Sequence, residues 1–279
     1  MFPDLGSQYK FIKEIGRGGS GIVYLALDRY SGFLVCVKKL LDEHSKNEEF
    51  LIKFKSEANI YLMLNHPNIV SLKDFIIKNN SFYLVQEYVE GQNLEEYIQN
   101  VTGPIPSEVT IGMIKDIVEA IDYAHNKSIA LSGHQGVLHL DIKPANVLIS
   151  KSGSIKIIDY GISQGNNQQR GNQVMGTPIF MAPEQFDIKK QLDQRTDIYA
   201  LGTLLHVMIT GNKPYKNCNS QQEVLDNILN HPLTRTSELY AGVDFRFQKI
   251  IDKATKKRPA DRYQSCQELL TAIEQLQSV

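Results

Sequence analysis

Between Tyr9 and Tyr88, apolar and polar positions alternate in short runs rich in Val, Ile and Tyr, broken at Gly, Asn and Asp. That period of two predicts β-strands joined by turns. One stretch departs from it. Phe50, Phe54, Ala58, Tyr61 and Leu64 recur at steps of three and four with charged residues between them, which predicts an amphipathic helix. Glu48 and Glu49 fall in its first turn, where carboxylates suit the helix dipole. Glu90-Gly91-Gln92-Asn93 reads as a linker, and beyond it the helical period dominates. Pro106-Ser107 opens a helix whose apolar face is Met113, Ile114, Ile117, Ile121 and Ala124. From Val137 to Ile158 the pattern returns to short strands, with Lys151-Ser152-Gly153 as a hairpin signal, and helical periodicity resumes at Asp197. The predicted class is α+β: one domain over 1–279, with a strand-rich lobe at about 9–89, a linker at 90–93 and a larger helical lobe at 94–279.

Composition narrows the functional classes. The 279 residues carry a net charge of −1, so no basic excess points to nucleic acid or an anionic membrane surface. Cys36, Cys218 and Cys266 are too widely spaced for a disulfide framework or a metal motif, which fits a reduced, cytoplasmic compartment. The start, Met1-Phe2-Pro3-Asp4-Leu5-Gly6, is not a signal peptide. The most apolar run, Ile198 to Ile209, is too short to span a bilayer. The chain therefore reads as soluble, either whole or as a domain of a longer protein, with its oligomeric state open.

Candidate chemistry lies in four places. Gly16-Arg17-Gly18-Gly19-Ser20-Gly21 sits between apolar strand runs, where it can be a plain turn or a loop whose amides contact phosphates. It does not open a dinucleotide-binding unit, because a strand with Val23 and Tyr24 follows where that unit needs a helix. Val35-Cys36-Val37-Lys38 places a lysine at the end of an apolar strand, as a solvent-edge residue or a phosphate ligand; its neighbour Lys39, of opposite alternation, reads as solvent-facing. Gln86-Glu87-Tyr88-Val89 is a strand end. His139-Leu140-Asp141-Ile142-Lys143-Pro144-Ala145-Asn146, followed by Asp159-Tyr160-Gly161, orders four groups suited to phosphoryl transfer. Asp141 can orient a hydroxyl and accept its proton, Lys143 can neutralise charge, and Asn146 and Asp159 can hold magnesium by oxygen.

With Met181-Ala182-Pro183-Glu184 downstream, these motifs in this order resemble those of eukaryotic-like (Hanks-type) Ser/Thr protein kinases. The resemblance runs from about Tyr9 to Leu276, and Ala254 to Leu270 is most similar to bacterial members. It implies a two-lobed kinase fold, with a small antiparallel-sheet lobe bearing one main helix and a larger helical lobe. It also implies transfer of the γ-phosphoryl group of ATP to Ser or Thr hydroxyls of protein substrates, with magnesium or manganese. Gly16, Gly18 and Gly21 would then cover the phosphates. Glu57, nine residues before His66-Pro67-Asn68, would pair with Lys38. Val23, Cys36 and Leu148 would sandwich the adenine, Glu87 and Val89 would bond its edge, Gln86 would gate a back pocket, and Asn93 would lie at the ribose. Thr177 of Gly176-Thr177-Pro178 would bridge Asp141 and Lys143, in agreement with Ser/Thr specificity. His139 would be a packing residue, stacked with Tyr61, Leu72 and Tyr160 over Asp197. Glu184 would pair with Arg262 to hold the substrate platform. Ile162 favours threonine as acceptor, and Asn93 and Val207 replace the acids that bind upstream arginines.

The chain departs from the family at several points. Leu140 stands where relatives carry an arginine that receives an activation-loop phosphate, and residues 164–176 contain no Ser, Thr or Tyr. Receptor and phosphate site are missing together, which implies activity without activation-loop phosphorylation. Tyr160 replaces phenylalanine in the metal motif. Lys127 to Gln135 reads as a surface insertion. Two rivals remain: a pseudokinase scaffold, which the retained Lys38, Asp141, Asn146 and Asp159 oppose, and a small-molecule phosphotransferase, which the platform segment opposes.

Overall fold

The structure, a computed structural model, describes residues 2–19, 21–127, 136–160, 178–216, 218 and 220–276. It divides into two compact units, Met1–Glu90 and Gly91–Val279.

The first unit is a five-stranded antiparallel sheet with one long helix. Its strands are β1 (Tyr9–Arg17), β2 (Gly21–Asp28), β3 (Leu34–Leu40), β4 (Leu72–Lys78) and β5 (Ser81–Glu87), in the order β1-β2-β3-β5-β4. Asn79 and Asn80, with φ of 50° and 59°, make the two-residue turn that joins β4 to β5 in a hairpin. Alternation divides the side chains between two faces. One face gathers Tyr9, Tyr24, Ala26, Val35, Val37, Tyr83 and Val85. The other gathers Leu40, Phe82 and Leu84 around Phe54 and Ala58 of α1 (Glu48–Met63). Asn47 caps that helix by accepting from the Glu49 N–H, and Glu48 and Glu49 occupy the first turn as its dipole favours.

Lys39 corrects the alternation argument. Its side chain is only 16% exposed, against the expectation of a solvent-facing lysine. The register sets it between Ile22 and Tyr83, so its stem lies on apolar neighbours while Nζ reaches Asp42 at 2.7 Å.

The second unit begins where a linker was expected. Gly91–Asn93 form a short strand, β6, which pairs with β7 (Val147–Ser150), itself paired with β8 (Ile155–Ile157). A Cβ at Gly91 would collide with the Ile149 carbonyl, so glycine is what admits this strand to the sheet. Asn93 then caps α2 (Leu94–Tyr97) through a capping box with Glu96, and the helix runs on into a single π turn at Ile98–Thr102. The remaining helices are α3 (Ser107–His125), α4 (Gln194–Thr210), α5 (Gln221–Asn230), α6 (Thr236–Leu239), α7 (Phe245–Ala254) and α8 (Cys266–Glu274). The expected apolar face of α3 is buried at every named position. α4 is buried without interruption from Thr196 to Thr210 and packs on α3 and α7, which makes it the axis of the unit. Among the described residues no helix is long and apolar enough to cross a membrane.

Candidate active site

Each unit carries its own set of the residues singled out above. In the first, Lys38 Nζ lies 2.7 Å from Glu57 Oε1. β3 supplies the lysine and the buried side of α1 the glutamate, which is 4% exposed. Val23 stands opposite Lys38 on β2, and Cys36, Leu84 and Gln86 share that face by register and alternation. The glycine loop closes with the Gly18 N–H donating to the Gly21 carbonyl at 2.9 Å. Gly21 is demanded by the fold, since a Cβ would come within 2.5 Å of the Lys39 carbonyl; at Gly18 it would meet nothing within 4 Å. Open backbone there suits a loop that a phosphate approaches closely. The Glu87 N–H donates to the Ser71 carbonyl at 3.0 Å, so a contact from Glu87 to a base would run through its own carbonyl. Val89 is half-buried just beyond.

In the second unit the residues of the catalytic loop converge on one carboxylate. Lys143 Nζ donates to Asp141 Oδ2 at 2.7 Å. Asn146 Nδ2 donates to that same oxygen and to the Asp141 carbonyl, each at 2.9 Å. Both partners of the amide are acceptors, which fixes its orientation: Nδ2 faces Asp141, and Oδ1 is the atom left for a cation. Asp141 Oδ1 is likewise outside this network. Asp159 follows β8 with φ of 64°, a left-handed conformation that non-glycine residues adopt at a cost. Among the described residues no three His, Cys, Asp or Glu cluster as a metal site. The donor set of one amide and one carboxylate fits a magnesium that completes its shell with phosphate and water. Leu148 on β7 is half-buried, and the side chain of Asn93 is engaged as the α2 cap, its Oδ1 accepting from the Glu96 N–H at 2.8 Å.

A second layer sets that loop in place. Asp197, at the start of α4 and fully buried, accepts from the His139 N–H at 2.8 Å, the Leu140 N–H at 2.8 Å and His125 Nε2 at 2.7 Å. Burial pushes its carboxyl up, but these hydrogen bonds and the neighbouring histidines outweigh burial and hold it below the usual range. Burial drives the His139 imidazole below its ordinary value. Its Nε2 donates to the Ile158 carbonyl at 3.1 Å, and its Nδ1 accepts from the Asp141 N–H at 3.3 Å. Its ring lies 4.5 Å from that of Tyr160. His139 thus aligns the loop and is not placed for acid–base chemistry. Leu140 has φ of 64° and is clamped on its other side by Gln185 Nε2, which donates to its carbonyl at 3.1 Å. Glu184, beside Gln185, is locked to Arg262 at 2.6 Å with both side chains almost wholly buried.

Two of these residues escaped sequence reasoning. His125 ends α3 one step past its apolar face, where nothing in the periodicity distinguishes it. Gln185 carried a signal, since it stands three residues after Ala182 at a helical start and returns a bond to the Ala182 N–H. Thr177, Ile162 and Ser163, and the insertion from Lys127 apart from Lys127 itself, lie outside the described residues.

A family model described as "Protein kinase domain" matches residues 9–272. The chain belongs to the protein kinase family, which uses ATP and a divalent metal to phosphorylate protein substrates. A probable serine/threonine-protein kinase of Clostridium perfringens is 32% identical over 98% of this chain and 38% of its own length. The serine/threonine-protein kinase PrkC of Bacillus subtilis is 33% identical over 97% of this chain and 40% of its own. The probable serine/threonine-protein kinase PknB of Lactococcus lactis is 32% identical, over 95% and 41%. The chain spans about two fifths of the length of these relatives.

Proposed function

We propose that this chain is a protein Ser/Thr kinase that transfers the γ-phosphoryl group of ATP with magnesium. The observation that carries the reading is the state of Asp141. One of its oxygens is fixed by Lys143 and Asn146, so the other keeps a defined direction in which to orient an acceptor hydroxyl and take its proton. Lys143 brings positive charge next to the developing transition state. Asn146 Oδ1 and Asp159 would hold the metal, which when bound neutralises phosphate charge. Lys38, steadied by Glu57, would position the nucleotide, beneath Gly16, Gly18 and Gly21 and beside Val23, Cys36 and Leu148, with Thr177 at the acceptor.

Substrates are proteins, with threonine favoured by Ile162 and no upstream arginine required. Leu140 stands in place of the arginine that would receive an activation-loop phosphate, so activity does not wait on activation-loop phosphorylation. The cytoplasm is the compartment that fits its cysteines, none of which is in a disulfide.

The test is transfer of label from γ-labelled ATP to a protein substrate, followed by phosphoamino-acid analysis. Asp141→Asn is expected to lower turnover by about 10²–10³-fold or more while the fold survives. Undiminished transfer in that variant, or label on tyrosine, would contradict the assignment.

A further inference from the structure

Gln86 is 6% exposed, and its side-chain Nε2 finds no hydrogen-bond partner among the described residues. A buried amide donor left unmatched is uncommon, because its desolvation is not repaid. The four residues before it on β5, Phe82 to Val85, are all apolar and buried. Packing alone would have continued that run. The register puts Cys36 opposite Gln86 on β3 and Leu72 opposite it on β4, with Leu25 beyond Cys36 on β2. Nothing in that row offers a strong acceptor. Lys38 and Leu84 form the next row on the same face, so the orphaned amide stands one row from the lysine that pairs with Glu57.

A carboxamide is unusual among buried side chains in that half a turn exchanges two donors for an acceptor. Adenine and guanine differ in that same sense at position 6, besides the N1–H and 2-amino donors that guanine adds. Adenine presents a 6-amino donor and guanine a 6-oxo acceptor. We propose that Gln86 reads the purine 6-substituent and that this chain binds GTP as well as ATP. Nε2 donates to the 6-oxo group of guanine; rotated, the amide accepts from the 6-amino group of adenine. The inference rests on the reading that this face of the first unit binds a nucleotide. Adenine also has the backbone of Glu87 and Val89 for its edge, whereas guanine depends on Gln86 as donor, so loss of the amide falls mainly on GTP.

The experiment uses the full chain with magnesium and measures binding of ATP and of GTP to wild type and to Gln86→Met, which keeps length and removes the amide. Wild type is expected to bind the two nucleotides within about tenfold of each other. Gln86→Met is expected to weaken GTP by about tenfold or more and ATP by less than about threefold. Both nucleotides should protect wild-type Cys36 from iodoacetamide, read peptide by peptide with Cys218 as the internal control. ATP binding without comparable GTP binding overturns the inference and leaves the nucleotide reading intact. GTP binding that does not protect Cys36, or a variant whose melting point falls while its GTP-to-ATP ratio stays unchanged, also overturns it. If neither nucleotide binds, the reading of the face fails and the inference fails with it.

Discussion

Two long-range ion pairs of almost equal length, one in each unit, are built differently. Lys38 Nζ meets Glu57 Oε1 at 2.7 Å, with 14% of the lysine side chain exposed. Arg262 meets both oxygens of Glu184, at 2.6 and 2.8 Å, with none of its side chain exposed. Its three other N–H groups donate to the carbonyls of Lys256, Arg195 and Lys257, and its guanidinium lies 4.9 Å from the Tyr199 ring centre. All five donors are used. Thr196 Oγ1 adds a bond to Glu184 at 3.0 Å. A buried charge pair holds a fold only when every donor is matched, and a planar fork can do that where an ammonium cannot. The Lys38 ammonium, partly exposed beside Glu57, is restrained without being enclosed, which is what positioning a reactant requires.

The largest expected effect follows from breaking the enclosed pair. Arg262→Met leaves the Glu184 carboxylate buried and unmatched and should cost about 3–5 kcal/mol, read as a fall of roughly 10 °C in melting point. Arg262→Lys should recover only part of this, because the ammonium cannot reproduce the fork. A melting point unchanged in both variants would make the pair incidental.

A smaller effect concerns the neighbouring Lys257. Its Nζ donates to the carbonyls of Ile228 at 2.7 Å and Asn227 at 3.2 Å, at the end of α5. Burial, then the charge of Arg262, pushes its pKa down from 10.5 to about 8. Between those values the unfolded chain binds more protons than the folded one, so this group makes stability rise with pH from about 8 to 10.5. Below that window both states are protonated and the slope vanishes. Relative to Lys257→Met, wild type should gain roughly 1–2 kcal/mol across the window, after allowance for solvent screening of a partly exposed side chain. A flat difference between the two denaturation series would show that Lys257 is not buried as a cation.

The smallest effect expected is none. Phosphatase treatment of the purified chain should leave transfer to an exogenous substrate unchanged, since Leu140 offers no charge to a loop phosphate. A loss of about tenfold or more, traced to a phosphate within residues 159–184, would overturn that.

The sequence made the strands of the first unit, α1 and the apolar face of α3 legible, because period and burial coincide there. It also placed Lys38 opposite Glu57 and Glu184 opposite Arg262, through motifs and not through pattern. Lys39 and Gly91–Asn93 were misread for different reasons. Alternation assigns a face but not what a long stem covers on it, and a three-residue strand is too short to show a period. Leu140 was read only for the charge it lacks. Its left-handed backbone, held between Asp197 and Gln185, arises from contacts 45 and 57 residues away that no local window contains. The orphaned amide of Gln86 is likewise a property of its neighbours.

The most direct test of the contrast between the two pairs is Lys38→Arg, measured for both unfolding and phosphoryl transfer. The arginine keeps a cation for Glu57 but not the compact ammonium that a nucleotide site requires. The melting point is expected to stay within about 3 °C of wild type while transfer falls by about 100-fold or more. A variant that transfers phosphate normally but melts roughly 10 °C lower would show that Lys38 and Glu57 hold the fold, and would contradict the account.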